Sequence, residues 1–177
     1  DILSVPCVAE DPAGRCYYCK RAIFSLIKTH ASNDGYTTLI DGNNASDDAS
    51  DRPGMRAVKE LGVLSPLRMC GLTKEDIRAR SRELGLFTAS KPAYACLATR
   101  VSTGTAITAA DLRRVERAED AMRAMGFDDF RVRIAIDGAA RLELRPEQMP
   151  MAVERRSGIL DALGGDFERV VMDLKGR

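Results

Sequence analysis

Two segments of the sequence carry the same signals for the start and the end of a helix, and they constrain the fold more than any other feature. Each places Thr at the N-cap and Asp three residues later, a capping box with apolar residues on either side. Each ends at a Gly that can adopt the left-handed conformation. These signals predict two helices, one that begins after Thr73 and ends at Gly85, and one that begins after Thr108 and ends at Gly126.

A hairpin pattern follows the second of these helices. Phe130–Ile136 alternates between apolar and polar residues, Asp137-Gly138 is a turn signal, and residues 140–145 alternate again. The spacing of the remaining apolar residues predicts a helix over 147–163 and a last strand near 170–174. The pattern therefore predicts a small α+β domain, in the order αββαβ, over residues 105–177.

The first hundred residues predict a different arrangement. Apolar spacing favours a helix from Tyr17 to about Thr29, and Thr37–Ile40 and Ser65–Cys70 indicate two short strands with a short helix between them. The first strand is expected to be buried and to deliver Asp41 at its carboxyl end, where open α/β sheets bind ligands. Residues 88–106 have the composition of a linker. This order predicts an α/β domain over residues 1–100.

Composition excludes several classes of protein. With 27 Lys and Arg against 26 Asp and Glu, the chain is not a strongly basic nucleic-acid module, and no apolar run approaches the roughly 20 residues of a membrane span. Five cysteines, an odd number without a secretory signal, argue against a disulfide framework and favour a reducing cytoplasm. The chain begins with Asp rather than Met, so we expect it to be a fragment.

The cysteines are the first candidates for chemistry. Cys16 and Cys19 form a CxxC motif at the start of a predicted helix, whose N-terminus lowers thiol pKa values. This pair alone fits a redox couple, half a zinc site, part of an iron–sulfur site or two core cysteines. Cys96 lies in a polar stretch four residues before Arg100, whose charge stabilises a thiolate, although an ordinary buried cysteine fits equally well. We expect the other two to be core or incidental residues: Cys7 and Cys70.

Charged residues supply the other candidates. The acidic loop from Asp41 to Asp51 and Arg52 lacks the ligand spacing of an EF-hand, so it is either a solvated loop or a ligand site that follows a strand. Arg131 and Arg133 share one face of a predicted strand, and either cross-strand ion pairs or a phosphate-binding patch explains them. The sequence contains no glycine-rich phosphate loop. These residues indicate an α/β protein with a candidate three-thiolate site, but no particular reaction.

Four motifs in a fixed order resemble the LarE-type ATP-dependent sacrificial sulfur transferases of the PP-loop ATP pyrophosphatase superfamily. They are Arg15–Lys20, Asp41–Asn43 with Asp51–Gly54, Gly62–Leu67 and Cys96–Arg100. The resemblance runs from about Gly14 to the C-terminus. It implies that residues 1–100 are the C-terminal part of a Rossmann-like domain of the PP-loop, or adenine nucleotide alpha hydrolase-like, type. A small α+β domain follows.

The resemblance also implies a reaction. In that family a carboxylate of a pyridinium biscarboxylate mononucleotide is adenylated with ATP and Mg²⁺, and a cysteine at the position of Cys96 attacks the acyl-adenylate to give a thiocarboxylate. The product leads to the nickel-pincer nucleotide of lactate racemase. In one form the cysteine loses its sulfur and becomes dehydroalanine. In a second form, which we favour here, three cysteines matching Cys16, Cys19 and Cys96 hold a 4Fe–4S cluster that carries the donor sulfide.

Further site residues are carried over from the matching motifs. The resemblance implies nucleotide- or substrate-binding roles for one group of residues, Asp41, Asp51, Arg52, Arg100, Arg131 and Arg133, and metal binding for two more, Glu119 and Glu143. The implied partner is a small-molecule nucleotide substrate, with no nucleic acid and no membrane, and the implied assembly is a homo-oligomer.

The sequence departs from the family pattern in two places. The ATP loop of the family, SGGxDS, is absent from the 177 residues, and the resemblance places it before Asp1, so we expect a truncated chain that is inactive alone. Val101–Gly104 stands where the family often has Pro-Tyr-Gly. Two alternatives remain: a PP-loop enzyme that thiolates tRNA, against which the balanced charge argues, and a non-catalytic fragment that binds a metal or cluster.

Overall fold

The computed structural model describes residues 1–47, 53–92 and 94–177. Contacts divide the chain into two units, unit 1 at Asp1–Lys91 and unit 2 at Pro92–Arg177. The division lies inside the stretch that the sequence marks as a linker, while the predicted identity of each domain stays a prediction. The chain mixes helices with a small sheet, in agreement with the expected α/β character. None of the helices formed by the described residues combines the length and apolar character needed to cross a membrane.

Unit 1 is helical in the parts that the structure describes. Its helices are α1 (Pro6–Ala9), α2 (Arg15–Asn33), α3 (Pro53–Glu60), α4 (Pro66–Met69) and α5 (Lys74–Glu83). Helices α2 and α3 pack together, with Tyr17, Ala57 and Val58 buried. A Cβ atom on Gly54 would lie 2.9 Å from Lys20 Cδ and 3.3 Å from the Cys16 carbonyl oxygen. Glycine therefore lets α3 approach the first turn of α2 closely.

Both strands expected in unit 1 are corrected by the structure. Thr37–Ile40 forms a single parallel bridge between Ile40 and Leu64, and Ile40 is 66% exposed rather than buried. Ser65–Cys70 is not a strand but the site of α4, because Pro66 at the first helical position has a φ already suited to a helix. The β-branched run thus forms one bridge, with hydrogen bonds from Asp41 N to Leu64 O and from Leu64 N to Leu39 O.

Unit 2 has the order αββααβ, with two helices where the sequence predicts one. Its regular elements are α6 (Ala109–Ala124), β1 (Arg131–Ile134), β2 (Ala140–Glu143), α7 (Met149–Glu154), α8 (Arg156–Leu163) and β3 (Val170–Met172), with 3₁₀ turns at Leu97–Arg100 and Pro146–Gln148. The sheet has the order β1-β2-β3, with β1 and β2 antiparallel and β2 and β3 parallel. The core is apolar and includes Val115, Met122, Val132, Leu144 and Leu163.

One helix expected in unit 2 is interrupted. The single helix predicted over 147–163 is divided at Arg155, which has φ −91° and ψ 15° and lies between α7 and α8. The Arg155 guanidinium donates a hydrogen bond to the carbonyl of Met125, the C-cap residue of α6. The division therefore coincides with a side chain that satisfies a helix-end carbonyl on a neighbouring element.

The helix boundaries predicted from the capping boxes are confirmed. Thr73 accepts a hydrogen bond from the amide of Asp76, whose carboxylate accepts one from the Thr73 amide, and the same reciprocal pair occurs at Thr108 and Asp111. The glycines after both helices have positive φ values, +66° at Gly85 and +87° at Gly126. Helix α6 thus begins and ends where its local signals require, and this fixes the element on which Glu119 lies.

Candidate functional site

Cys96 lies immediately before the 3₁₀ turn Leu97–Arg100, and its side chain is exposed. Thr99 closes this turn onto the Cys96 carbonyl oxygen twice, through its amide at 2.9 Å and its hydroxyl at 2.7 Å. The backbone of Cys96 is therefore held in place while its thiol remains accessible. This is the arrangement that a nucleophilic cysteine needs, and it differs from the buried cysteine that the sequence left open.

Arg100 anchors the other end of the turn. Its side chain is 1% exposed and forms a two-pronged ion pair with Glu119, from Nε to Oε1 at 2.6 Å and from Nη2 to Oε2 at 3.2 Å. The remaining nitrogen, Nη1, donates to the Thr99 hydroxyl oxygen at 2.9 Å. The structure thus directs the guanidinium towards Glu119 and Thr99, and the nucleotide-binding role inferred for Arg100 stays a prediction.

Glu119 is fully buried on α6 and has contacts beyond Arg100. Its Oε1 accepts from the amide of Val132 on β1 at 3.2 Å, and its Oε2 lies 3.3 Å from Arg123 Nη2. The Arg123 guanidinium also lies over the Tyr94 ring, 4.9 Å from its centroid. Two arginines and one backbone amide therefore surround the carboxylate. This set of donors fits the predicted metal-binding role of Glu119 poorly, because a metal ion would need the oxygens that they occupy.

The two arginines of β1 have different surroundings. Arg133 donates from Nε to Glu143 Oε1 at 2.6 Å, and its Nη1 donates to the Thr99 carbonyl oxygen. Glu143 also accepts from Arg141 at 3.0 Å, and its predicted metal-binding role stays a prediction. Cross-strand pairing, one of the two explanations that the sequence left open, is therefore present at Arg133. The second hydrogen bond of Arg133, to the Thr99 carbonyl oxygen, ties β1 to the Cys96 turn.

Arg131 is half-buried, and within the described part of the chain its side chain has no hydrogen-bond or ion-pair partner. Burial lowers its pKa, the nearby positive charges of Arg177, Arg100 and Arg133 lower it further, and the carboxylate of Glu143 opposes these effects. A cation held among other cations favours a bound anion, because the anion relieves both the desolvation and the repulsion. Arg131 is therefore the side chain of this site best suited to hold a phosphate or carboxylate group.

The CxxC motif lies in unit 1, in the first turn of α2. Cys16 is exposed and Cys19 is half-buried, and residues three apart on a helix share one face. Just before this turn, Asp11 is buried in the left-handed conformation, with φ +52°, and it pairs with Arg15. Burial raises the pKa of the Asp11 carboxyl, an effect that the charge of Arg15 opposes. The buried pair holds the chain where the motif enters the helix.

All five cysteines are free thiols, and Cys7 and Cys70 are exposed rather than core residues. Within either unit, the described His, Cys, Asp and Glu side chains form no group of three or more placed to bind a metal ion. Cys16 and Cys19 belong to unit 1 and Cys96 to unit 2. The three-cysteine cluster therefore stays a prediction, supported by the soft thiolate ligands that iron–sulfur clusters use.

The acidic loop has internal partners. The Asp41 carboxylate accepts hydrogen bonds from the Asn43 amide at 3.0 Å and from the Asn43 side chain. Arg68 on α4 donates to the carbonyls of Asn44 and Asp47 at 3.3 and 2.5 Å, a role that sequence reasoning missed and that no local signal marks. The other two residues predicted to bind the nucleotide in this loop lie outside the described residues: Asp51 and Arg52.

No protein-family model matches the chain. Two curated relatives match nearly all of it: an uncharacterized protein of Synechocystis sp., 38% identical over 97% of the chain, and a protein of Lactiplantibacillus plantarum, 33% identical over 99% of it. The chain spans just under two thirds of their length, 65% and 64%. An uncharacterized protein of Methanocaldococcus jannaschii is 26% identical over 98% of the chain. The L. plantarum relative is named pyridinium-3,5-bisthiocarboxylic acid mononucleotide synthase, and this likeness supports the LarE-type resemblance that the motifs indicate.

Proposed function

We propose that this chain is the part of a LarE-type, ATP-dependent sulfur transferase that carries the reactive cysteine. The proposed reaction converts a carboxylate of a pyridinium biscarboxylate mononucleotide to a thiocarboxylate, a step in making the nickel-pincer nucleotide. The observation that carries the proposal is the exposed thiol of Cys96 on a turn that Thr99 closes and the Arg100–Glu119 pair anchors. The likeness to a protein named as a bisthiocarboxylate synthase supports the same chemistry.

The proposed first step activates the substrate. The carboxylate attacks the α-phosphorus of ATP and pyrophosphate leaves; a bound Mg²⁺ would supply positive charge to the phosphates. Asp41, Asp51 and Arg52 are the proposed nucleotide-binding residues, in a PP-loop, Rossmann-like domain to which unit 1 contributes. In unit 2, Arg131 holds an anionic group of the substrate, because among the described residues no carboxylate forms a hydrogen bond or ion pair with it and three arginines act against the one nearby carboxylate, Glu143. The held substrate then presents its acyl-adenylate to a sulfur nucleophile.

The second step transfers sulfur. In the sacrificial form, the Cys96 thiolate attacks the acyl carbon and AMP leaves with the bonding electrons. Loss of the Cα proton and cleavage of the Cβ–S bond then leave dehydroalanine in the protein and a thiocarboxylate on the substrate. In the form that we favour, Cys16, Cys19 and Cys96 hold a 4Fe–4S cluster that supplies sulfide when bound. The Cβ–S bond of Cys96 then stays intact.

The test uses the complete polypeptide that the gene encodes, purified without oxygen and supplied with ATP, Mg²⁺ and pyridinium-3,5-biscarboxylic acid mononucleotide. Mass spectrometry of the nucleotide should show oxygen replaced by sulfur. Cys96→Ala should abolish this product, whereas Cys70→Ala, which removes another exposed thiol, should leave it unchanged. If Cys96→Ala makes the product at the normal rate, the proposed function is wrong.

The sulfur source is decided by two measurements on the same protein. Iron and acid-labile sulfide should fall when Cys16, Cys19 or Cys96 is changed to Ala and should be unaffected by Cys70→Ala. The intact mass after turnover should be unchanged. A protein that has lost the elements of hydrogen sulfide after turnover would instead establish the sacrificial form. If all three variants keep full iron content, the cluster is excluded.

We also propose that the protein works as a homo-oligomer in a reducing cytoplasm. Five free thiols, four of them exposed, suit a compartment in which cysteines stay reduced. Light scattering coupled to gel filtration measures the oligomeric state of the complete polypeptide. A monomer under reducing conditions would contradict the proposed assembly.

A further inference from the structure

We propose that Glu119 is a positioning residue that fixes the backbone of Cys96, and not a metal ligand. The part of this proposal that concerns catalysis rests on the proposed function. The part that concerns the conformation of the Cys96 turn does not. The proposal assigns Glu119 the opposite role from the one that the family resemblance implies. Hydrogen bonds connect α6, β1 and the turn Leu97–Arg100 around this carboxylate.

The contacts of Glu119 leave no room for a metal ion. A carboxylate offers about four lone-pair positions, and four donors approach this one: Arg100 Nε and Nη2, the Val132 amide and Arg123 Nη2. Mg²⁺ binds with near-octahedral geometry and keeps several water molecules, which a fully buried carboxylate cannot accommodate. The two guanidinium groups would also repel a divalent cation at this position.

The same contacts lead directly to Cys96. Arg100 uses two nitrogens for Glu119 and donates with the third to the Thr99 hydroxyl oxygen. Because a guanidinium only donates, the Thr99 hydroxyl proton is free for the Cys96 carbonyl oxygen, to which it donates at 2.7 Å. Glu119 therefore orients Arg100, Arg100 orients the Thr99 hydroxyl, and that hydroxyl holds the residue that bears the reactive thiol.

Two variants break this chain of contacts at different places. Glu119→Gln puts an amide NH₂ among donors and removes the charge that Arg100 faces. Thr99→Val has nearly the same shape as Thr but lacks the hydroxyl, so it removes the hydrogen bond from Arg100 Nη1 and the one to the Cys96 carbonyl and leaves the buried ion pair in place. Thr99→Ser keeps the hydroxyl and is the conservative rescue. Asp166→Asn is the control. It removes the negative charge that pairs with Arg117, a surface residue on α6, the helix that also carries Glu119.

The first experiment measures hydrogen exchange at the amides of residues 97–101 in the 177-residue chain. Glu119→Gln and Thr99→Val should each exchange at least about fivefold faster, the factor that corresponds to one lost hydrogen bond. Thr99→Ser and Asp166→Asn should match the unaltered chain. If exchange in Thr99→Val is unchanged, the proposal is wrong. If Glu119→Gln raises hydrogen exchange throughout unit 2, the exchange rates in Thr99→Val still test whether the Thr99 hydroxyl holds the Cys96 turn.

The second experiment separates positioning from metal binding. Mn²⁺, a spectroscopic substitute for Mg²⁺, is titrated into the complete polypeptide, and its affinity should be the same with Glu119→Gln as without it. A loss of tenfold or more would make Glu119 a metal ligand and overturn the proposal. Thiocarboxylate formation should fall in kcat for Thr99→Val with KM unchanged, and Thr99→Ser should restore it. If even the unaltered protein forms no thiocarboxylate, the proposed function fails while the exchange and Mn²⁺ results still decide the role of Glu119.

Discussion

The buried ion pair between Arg100 and Glu119 gives the sharpest prediction about stability. Changing Glu119 to Met leaves the Arg100 charge 1% exposed and without a carboxylate, and it leaves the Val132 amide without its acceptor. Breaking a buried pair costs about 3–5 kcal/mol, and an unsatisfied buried amide costs about 1–3 kcal/mol. The two losses overlap, so we expect Glu119→Met to destabilise unit 2 by about 4 kcal/mol.

The partner variant and the double variant test this reasoning. Arg100→Met should cost less, about 3 kcal/mol, because Arg123 and the Val132 amide still face the carboxylate. The double variant replaces both charges by apolar side chains, so it should lose only about 1–2 kcal/mol for the unpaired amide. The double variant should therefore be more stable than Glu119→Met. Its loss should be at least about 2 kcal/mol smaller than the sum of the single losses.

The assay must report on unit 2 by itself, because a chain of two units need not unfold in one step. Hydrogen exchange at the slowest amides of β1 meets this need, since their opening measures the stability of the surrounding core. In the control variant Asp166→Asn, the opening free energy of these amides should be within about 0.5 kcal/mol of that in the unaltered chain, since surface ion pairs contribute little to stability. If Glu119→Met costs less than about 1 kcal/mol, or if the single losses are additive, the ion pair is not what the structure indicates.

Three further predictions concern a glycine, a helix cap and a surface ion pair of unit 2. Gly126→Ala should lower the free energy of unfolding by about 1–2 kcal/mol, because φ at this position is +87°. The control is Gly158→Ala, in an open position of α8, which should be neutral or stabilising. Equal effects of the two substitutions would exclude the positive φ as the cause. Thr108→Ala should cost about 1 kcal/mol through loss of the capping box, and exchange at the first amides of α6 measures it. The pKa of Asp166 is lowered mainly by its hydrogen bond from Arg117. The stabilisation by this pair is therefore present above about pH 4 and is lost as the pH falls through the lowered pKa. A carboxyl NMR titration should show an ordinary midpoint in Arg117→Gln, and an unchanged low midpoint would exclude Arg117 as the cause.

The features that the sequence predicts well are those with local causes. A capping box acts over three residues, so Thr108 and Asp111 contain all the information that starts α6. The hairpin turn is similar, because Gly138 has φ +81° and the Asp137 carboxylate accepts from the Ala139 amide at 3.1 Å. The strand before the turn ends at Ile134, two residues earlier than the alternation predicts, and Ile136 is 95% exposed. Local pattern locates an element but leaves its last residues to hydrogen bonding with the neighbour.

The errors arise where burial and pairing depend on distant residues. Thr37–Ile40 has the β-branched composition of a buried strand. Among the described residues, however, its one β-pairing is the bridge between Ile40 and Leu64. The pair of Arg100 and Glu119 joins residues 19 positions apart on different elements. From sequence, Arg100 is a charge near Cys96 and Glu119 is an acidic side chain on a helix. Only the packing of the turn against α6 and β1 shows that each neutralises the other.

Arg131 and Arg133 show how far the register of a sheet can separate two residues that the sequence treats alike. Pairing of β1 with β2 puts Glu143 directly opposite Arg131, yet its Oε1 lies 2.6 Å from Arg133 Nε. Arg133 also donates to the Thr99 carbonyl, so its charge is used to hold the Cys96 turn. Arg131 has no ion pair among the described residues, and its burial and three nearby arginines lower its pKa more than Glu143 raises it. Because a bound anion would relieve this repulsion, the affinity of unit 2 for phosphate should depend on Arg131, and Arg133 should matter mainly through the turn that it supports.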